Sequence, residues 1–408
     1  MEIKKAGIIL LLGVIASKVE GSVFKLVLMN RLDPSLYGKY SIFLILFNWL
    51  LLIATFNITI GLAKFVAENE KQRKLKYVAA LIGCTTISLI VSSVLILSRL
   101  SISNFINIHD DKIILFLACI LPFATIYNLT IFYFRGIYKM KTSTSLDVIL
   151  SGLKILVLIF MLSMGYAYAP YVAFLVSFLI LDLILLFLNI RKSFKTVQFG
   201  KTAKIFKALF IYSLPIFLSE SLNDFGMGFD RLFLAKFYTT FASGIYDVAI
   251  TLCLGYILIA NAYANALLPV ASKDRKNSNK LKKDLLKTSW YVVIFYVIYT
   301  LTVLLLAQRI ITIINPSYLP AIEFLKPLMI AYALIGFLSL FSYFVNAINL
   351  QKYALLTSVL FVLNSFMLNF YFVPQLKYLG AVNAILVSAI VSVVLLTALI
   401  WRRLKLKR

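Results

Sequence analysis

Residues 379–401 read LGAVNAILVSAIVSVVLLTALIW, a run of 23 positions with no charged side chain. As a helix it is about 35 Å long, enough to cross the ~30 Å hydrocarbon core of a bilayer. Lipid offers no water to pair with backbone N–H and C=O groups, so such a run must be helical. Working back from it, eleven more runs of similar kind occur. They lie at 6–30, 42–65, 78–98, 113–134, 146–166 and 169–190, then at 208–231, 245–271, 288–308, 321–346 and 354–374. Those at 6–30, 146–166 and 208–231 carry charges. The fold class expected is therefore all-α integral membrane, with about twelve transmembrane helices. Composition agrees: 62% of residues are hydrophobic, 14% are charged and the mean hydropathy is +0.95. Soluble domains are about one-quarter charged. The start, Met-Glu-Ile-Lys-Lys, leads into an apolar stretch that reaches Met29 without a small-residue cleavage site. It reads as a retained first helix and not as a signal peptide.

The formal net charge is +25. Its distribution argues against nucleic acid as a partner and for basic cytoplasmic loops. With the N-terminus inside, 28 Lys and Arg fall on inside segments and 9 on outside loops and span ends. That asymmetry places both termini in the cytoplasm. The longest polar stretch, 191–207, divides the chain. The domains expected are an N-terminal six-helix lobe (1–190), a cytoplasmic linker (191–207), a C-terminal six-helix lobe (208–401) and a basic cytoplasmic tail (402–408).

The two halves repeat weakly. Leu36-Tyr37-Gly38-Lys39-Tyr40 precedes the second run and Ala242-Ser243-Gly244-Ile245-Tyr246 precedes the eighth. An offset of 206 superposes Gly38 on Gly244 and Tyr40 on Tyr246, and brings the following basic loops together. Six spans per half is an even number, so the repeat is parallel, about an axis along the membrane normal.

Ionisable groups inside spans are costly and should face a cavity or a partner. The first run carries Lys18, Glu20 and Lys25. Lys18, Gly21 and Lys25 fall on one helical face, with Ser22 beside them. The seventh run carries Glu220, Asp224, Asp230 and Arg231, and Glu220, Asp224 and Arg231 share a face at i, i+4 and i+11. The offset pairs Lys18 with Asp224 and Lys25 with Arg231. The expectation is a central cavity lined by the first and seventh helices. Lys18, Lys25 and Arg231 would meet an anion there, with Glu20, Glu220, Asp224 and Asp230 as counter-charges; structural salt bridging is the competing reading. Secondary candidates are Asp147, Lys154, Asp182, Asp247 and Arg31. Lys154 and Asp182 are expected to form an interhelical ion pair. Asp247 reads as a carboxylate favoured by a helix N-terminus.

Several chemistries are excluded. His109 is the only histidine, and Cys84, Cys119 and Cys253 lie inside apolar runs, so no zinc site or disulfide framework is expected. Gly200-Lys201-Thr202 resembles the end of a P-loop, but Lys195 stands where that motif needs glycine. No catalytic residues and no cofactor are assigned.

Three segments carry a family resemblance. Leu32-Asp33-Pro34-Ser35-Leu36-Tyr37-Gly38-Lys39-Tyr40-Ser41 resembles the turn after the first helix of the polysaccharide (O-antigen and capsule-type) flippases. Ser213-Leu214-Pro215, Asp230-Arg231 and Gly244-Ile245-Tyr246 resemble that family's second-half signature. Phe134-Arg135-Gly136-Ile137-Tyr138-Lys139 fits as well. The family belongs to the multidrug/oligosaccharidyl-lipid/polysaccharide exporter superfamily. The resemblance implies two pseudo-symmetric six-helix lobes around a central cavity. It implies alternating access that moves an undecaprenyl-pyrophosphate-linked oligosaccharide from the cytoplasmic to the periplasmic leaflet. Lys18, Lys25 and Arg231 would hold the pyrophosphate and sugar. Coupling to a proton or sodium gradient would fall to Glu220, Asp224 and Glu20. Membrane lipid and a polysaccharide polymerase are the further partners implied. Two other readings remain: a drug or cation exporter of the same fold, which predicts an acidic cavity, and a membrane polysaccharide polymerase or ligase, which needs a sizeable outer loop.

Overall fold

The computed structural model describes residues 21–68, 70–185, 199–273, 278–348 and 350–406. Among them the secondary structure is entirely helical. Helix α1 (21–31) is followed by α2 (Pro34–Thr55), α3 (Ile58–Glu68), α4 (Arg73–Phe105), α5 (Asp111–Gly136), α6 (Met140–Ser163) and α7 (Ala169–Leu185). Then come α8 (Phe199–Gly226), α9 (Phe229–Phe237), α10 (Thr240–Lys273), α11 (Ser278–Ile314), α12 (Leu325–Ala347), α13 (Gln351–Leu376) and α14 (Tyr378–Leu406). Ten of these are long and apolar enough to cross a membrane, and α7, with 17 residues, is shorter. Large apolar side chains point outward along them: Leu97 is 88% exposed and Ile313 80%. A water-soluble surface does not carry such stretches, whereas a lipid-facing one does.

The structure corrects two of the expected spans. The second run begins at Pro34 and is broken at Phe56 and Asn57, whose φ values of 44° and 51° are left-handed. Asparagine tolerates that region and phenylalanine does not do so readily. The seventh run ends at Gly226, and a turn through Met227 and Gly228 starts a separate helix at Phe229. Glu220 and Asp224 are therefore on α8 and Arg231 on α9, so the three do not share a helical face. The expected linker is helical from Phe199, while 191–198 lies outside the described residues. The expected basic tail is helical as far as Leu406.

Two compact units divide the chain. The first contains the described residues up to Leu32 together with Phe43–Leu218; the second contains Asp33–Ile42 and the residues from Ser219 onward. The division falls within α8, past the expected linker, because the start of α8 packs into the first unit. Leu209 joins Ile58, Leu62, Val66, Tyr77, Leu81, Cys84 and Leu129 in its core. Gly61 leaves room for Ser213, and Gly83 for the ring of Phe206.

In the second unit the 206 offset is visible atom by atom. A Cβ on Gly38 would overlap the Thr240 carbonyl, and one on Gly244 would overlap the Pro34 carbonyl. Pro34 and Thr240 are themselves 206 apart. So are the capping residues. Asp33 accepts hydrogen bonds from the Ser35 and Leu36 amides (2.7 and 3.2 Å), and Thr239 accepts one from the Ala242 amide (3.2 Å). The two helix starts meet backbone to backbone, the close approach that small residues permit in membranes. Two long helices, α4 and α11, also start one offset apart to within a residue.

Overpacking a rigid backbone contact costs about 1–3 kcal/mol, and more where nothing can move aside. Gly38→Ala and Gly244→Ala should each lower the thermal midpoint of the detergent-purified protein. Gly152→Ala, whose added methyl would meet nothing within 4 Å, should not. A Gly38→Ala midpoint equal to wild type would contradict the crossing.

Candidate functional site

The crossing brings three charged side chains and a tyrosine together inside the second unit. Asp230 lies in the first turn of α9, where the helix dipole favours a carboxylate. Its Oδ1 accepts the Arg231 amide (2.8 Å) and lies 3.5 Å from the Arg231 Nε. Arg231 Nη1 donates to Asp247 Oδ1 at 2.7 Å, and Nη2 donates to the Met227 carbonyl at 2.9 Å. The other Asp247 oxygen accepts the Tyr37 hydroxyl at 2.8 Å. Tyr37 comes from α2, beside Gly38, and Asp247 from α10, one turn past Gly244. Both aspartates are at most 1% exposed, and the Arg231 side chain is 15% exposed.

Around this knot the hydroxyls of Tyr246 and Tyr332, together with Asp230 Oδ2, are buried without a hydrogen-bond partner. Both tyrosines lie within electrostatic reach of Asp230 and Arg231. Tyr246 stacks on Phe324 and Phe324 on Tyr378; the Tyr37 ring meets Tyr318 edge-on. The site thus holds one guanidinium, two carboxylates and a wall of aromatic rings in a membrane-embedded unit.

The first unit builds a similar arrangement from other positions. Arg135, at the end of α5, donates to Asp147 Oδ2 (3.0 Å) and to Ser143 Oγ (3.0 Å), and lies over the Phe132 ring. Tyr127 donates to Asp147 Oδ1 (3.0 Å). In each unit one aspartate bridges an arginine and a tyrosine. Arg135 belongs to a motif visible in the sequence, but its partner does not, because α6 supplies it. Tyr37 and Tyr246 likewise sit in the Gly-x-Tyr repeats without marking their role.

The other expected residues are placed as follows. Lys18 and Glu20 lie outside the described residues. Lys25 is half-buried and Arg31 exposed on α1, and Glu220 and Asp224 are exposed on α8. Asp247 does lie near a helix start, but its carboxylate is committed to Arg231 and Tyr37. The expected Lys154–Asp182 ion pair is not formed. The Lys154 ammonium sits instead over the rings of Phe174 (4.0 Å) and Phe178 (4.5 Å), and both Asp182 oxygens are buried without a hydrogen-bond partner. Two aromatic faces on α7 attract the ammonium electrostatically without a second charge having to be desolvated against it.

Removing one partner of a buried ion pair costs about 3–5 kcal/mol, because a charge is left uncompensated. Arg231→Gln should destabilise the purified protein by that order in a thermal melt. Adding Asp230→Asn and Asp247→Asn should recover part of the loss. A triple variant no more stable than Arg231→Gln would contradict the pairing.

Proteins of similar fold are known. The solved inward-facing multidrug resistance transporter of the MATE family, within the MOP superfamily, aligns with a TM-score of 0.73 and 18% identity over 94% of each chain. The lipid II flippase MurJ in an inward closed conformation aligns with a TM-score of 0.74 and 16% identity, over 95% of this chain and 86% of that one. These likenesses establish the fold. The capsular polysaccharide biosynthesis protein CapF of Staphylococcus aureus is 22% identical over 264 residues, which is 63% of each chain and so less than two-thirds of CapF's length. Residues 3–275 match the model of the polysaccharide biosynthesis protein family, and the chain belongs to that family.

Proposed function

We propose that the protein is a flippase that carries an undecaprenyl-pyrophosphate-linked oligosaccharide from the cytoplasmic to the periplasmic leaflet of a bacterial inner membrane. The delivered unit feeds O-antigen or capsule-type surface polysaccharide. One combination carries this reading: a polysaccharide biosynthesis family member has the fold of membrane transporters. Its contribution to polysaccharide synthesis is then movement of a precursor and not bond formation. Lys18 and Lys25 on the first helix are the cations assigned to the pyrophosphate. Arg231, already held by two carboxylates, serves better to position α9 and α10 than to meet the substrate. Gradient coupling by protons or sodium falls to the membrane carboxylates, and a polysaccharide polymerase is the natural downstream partner. The excess of carboxylate over guanidinium around Arg231 favours a second reading, export of organic cations.

Gene deletion with plasmid rescue separates the two. Wild type should restore surface polymer on a gel and clear the accumulated lipid-linked repeat units. Lys18→Ala and Lys25→Ala, at equal membrane levels, should restore little of either. Unchanged polymer in the deletion strain, with new sensitivity to cationic compounds, would replace the flippase reading with the exporter.

A further inference from the structure

Phe174, Phe178 and Asp182 are spaced i, i+4, i+8 and so line one face of α7. The Lys154 ammonium, reaching over from α6, occupies the first two steps of that ladder, at 4.0 and 4.5 Å from the ring centroids. Among the described residues no cation stands at the third step. Asp182 is 1% exposed, and neither of its oxygens has a hydrogen-bond partner. Among the described residues the titratable groups around it are the buried phenols Tyr77 of α4 and Tyr127 of α5. Around Lys154 the charged neighbour is Asp147 of its own helix, which is already bound to Arg135 and Tyr127.

A carboxylate with no partner in this setting costs far more than the neutral acid does. A lysine on aromatic faces keeps its charge and its flexible stem. One helical turn, about 6 Å, separates Phe178 from Asp182, which is within the swing of a lysine side chain. We infer that Lys154 and Asp182 form a proton-release switch in the first unit. With Lys154 on Phe174 and Phe178, Asp182 holds a proton; when Lys154 moves one turn along α7 to pair with Asp182, that proton is released. The Asp182 O–H bond breaks, its electron pair stays on the carboxylate, the proton passes to water, and Lys154 remains an ammonium throughout. The pair's net charge falls by one. Use of this step to drive transport rests on the flippase reading; the switch itself does not.

The test uses the full-length protein in lipid nanodiscs, followed by infrared difference spectroscopy through steps of pH. Protons are the probe, and the carbonyl stretch of a protonated carboxylic acid is the signal. Wild type should show a buried-acid band that Asp182→Asn removes. Lys154→Gln should keep the band to higher pH. Phe174→Leu/Phe178→Leu, which leaves Lys154 nothing to rest on but Asp182, should lose it at about tenfold higher proton concentration, one pH unit lower. If Asp182→Asn does not purify as a monodisperse protein, isotope-labelled aspartate in wild type and Lys154→Gln supplies the same comparison. Absence of an Asp182 band, or identical titration in wild type and Lys154→Gln, overturns the switch. In the deletion strain Asp182→Asn should fail to restore polymer. Full restoration beside the expected spectra would remove the link to transport, whereas a wild-type protein that restores nothing would count against the flippase reading alone.

Discussion

Gly38 and Gly244 let two helix starts meet with no side chain between them. Much of the second unit follows from that contact. It brings the Pro34 and Thr240 helices within reach of each other's carbonyls, and Ser35 Oγ within 2.9 Å of Thr240 Oγ1. It also fixes where the next residues fall. Tyr37 then reaches Asp247, and Asp247 reaches Arg231 on α9. In a bilayer helices gain little from hiding apolar surface from one another, so close packing and polar contacts determine which pairs associate. A glycine crossing with a polar knot beside it supplies both.

The polar knots carry the electrostatic risk of the fold. Desolvating Asp230, Asp247 and Arg231 together is tolerable only because each carboxylate has a donor and the guanidinium has two acids. The Asp147–Arg135–Tyr127 group repeats that chemistry at positions unrelated by the 206 offset. Lys154 shows a different solution, a cation held by rings. The two units thus keep their buried charges by different means, ion pairs with tyrosine in the knots and aromatic faces at Lys154.

Much of the fold was legible in the sequence because a bilayer imposes a length and a composition on each crossing. The run at 379–401 lies within α14, and the Gly-x-Tyr repeats gave the 206 offset, though not the crossing of α2 and α10 that their glycines make. The breaks were not legible. Phe56-Asn57 contains no proline or glycine, and the equivalent Ala262-Tyr263 in the second half runs straight through α10. The turn at Met227 put Arg231 on a new helix, which a face-by-face reading of residues 208–231 could not foresee. Pairing of opposite charges suggested Lys154 with Asp182, but the aromatic faces one and two turns before Asp182 compete for the same ammonium. Tyr37, Arg135 and Tyr127 went unassigned because their partners come from other helices, and spacing within one helix says nothing about them.

Movement of a lipid-linked oligosaccharide between leaflets can be measured on the purified protein alone. Proteoliposomes would contain the full-length chain and a fluorescently tagged undecaprenyl-pyrophosphate oligosaccharide in both leaflets. A membrane-impermeant quencher would report how much label reaches the outer surface. A flippase makes label from both leaflets accessible, while protein-free vesicles expose only the outer-leaflet share. Accessibility no greater than in protein-free vesicles, with the protein folded and correctly inserted, would contradict the flippase reading.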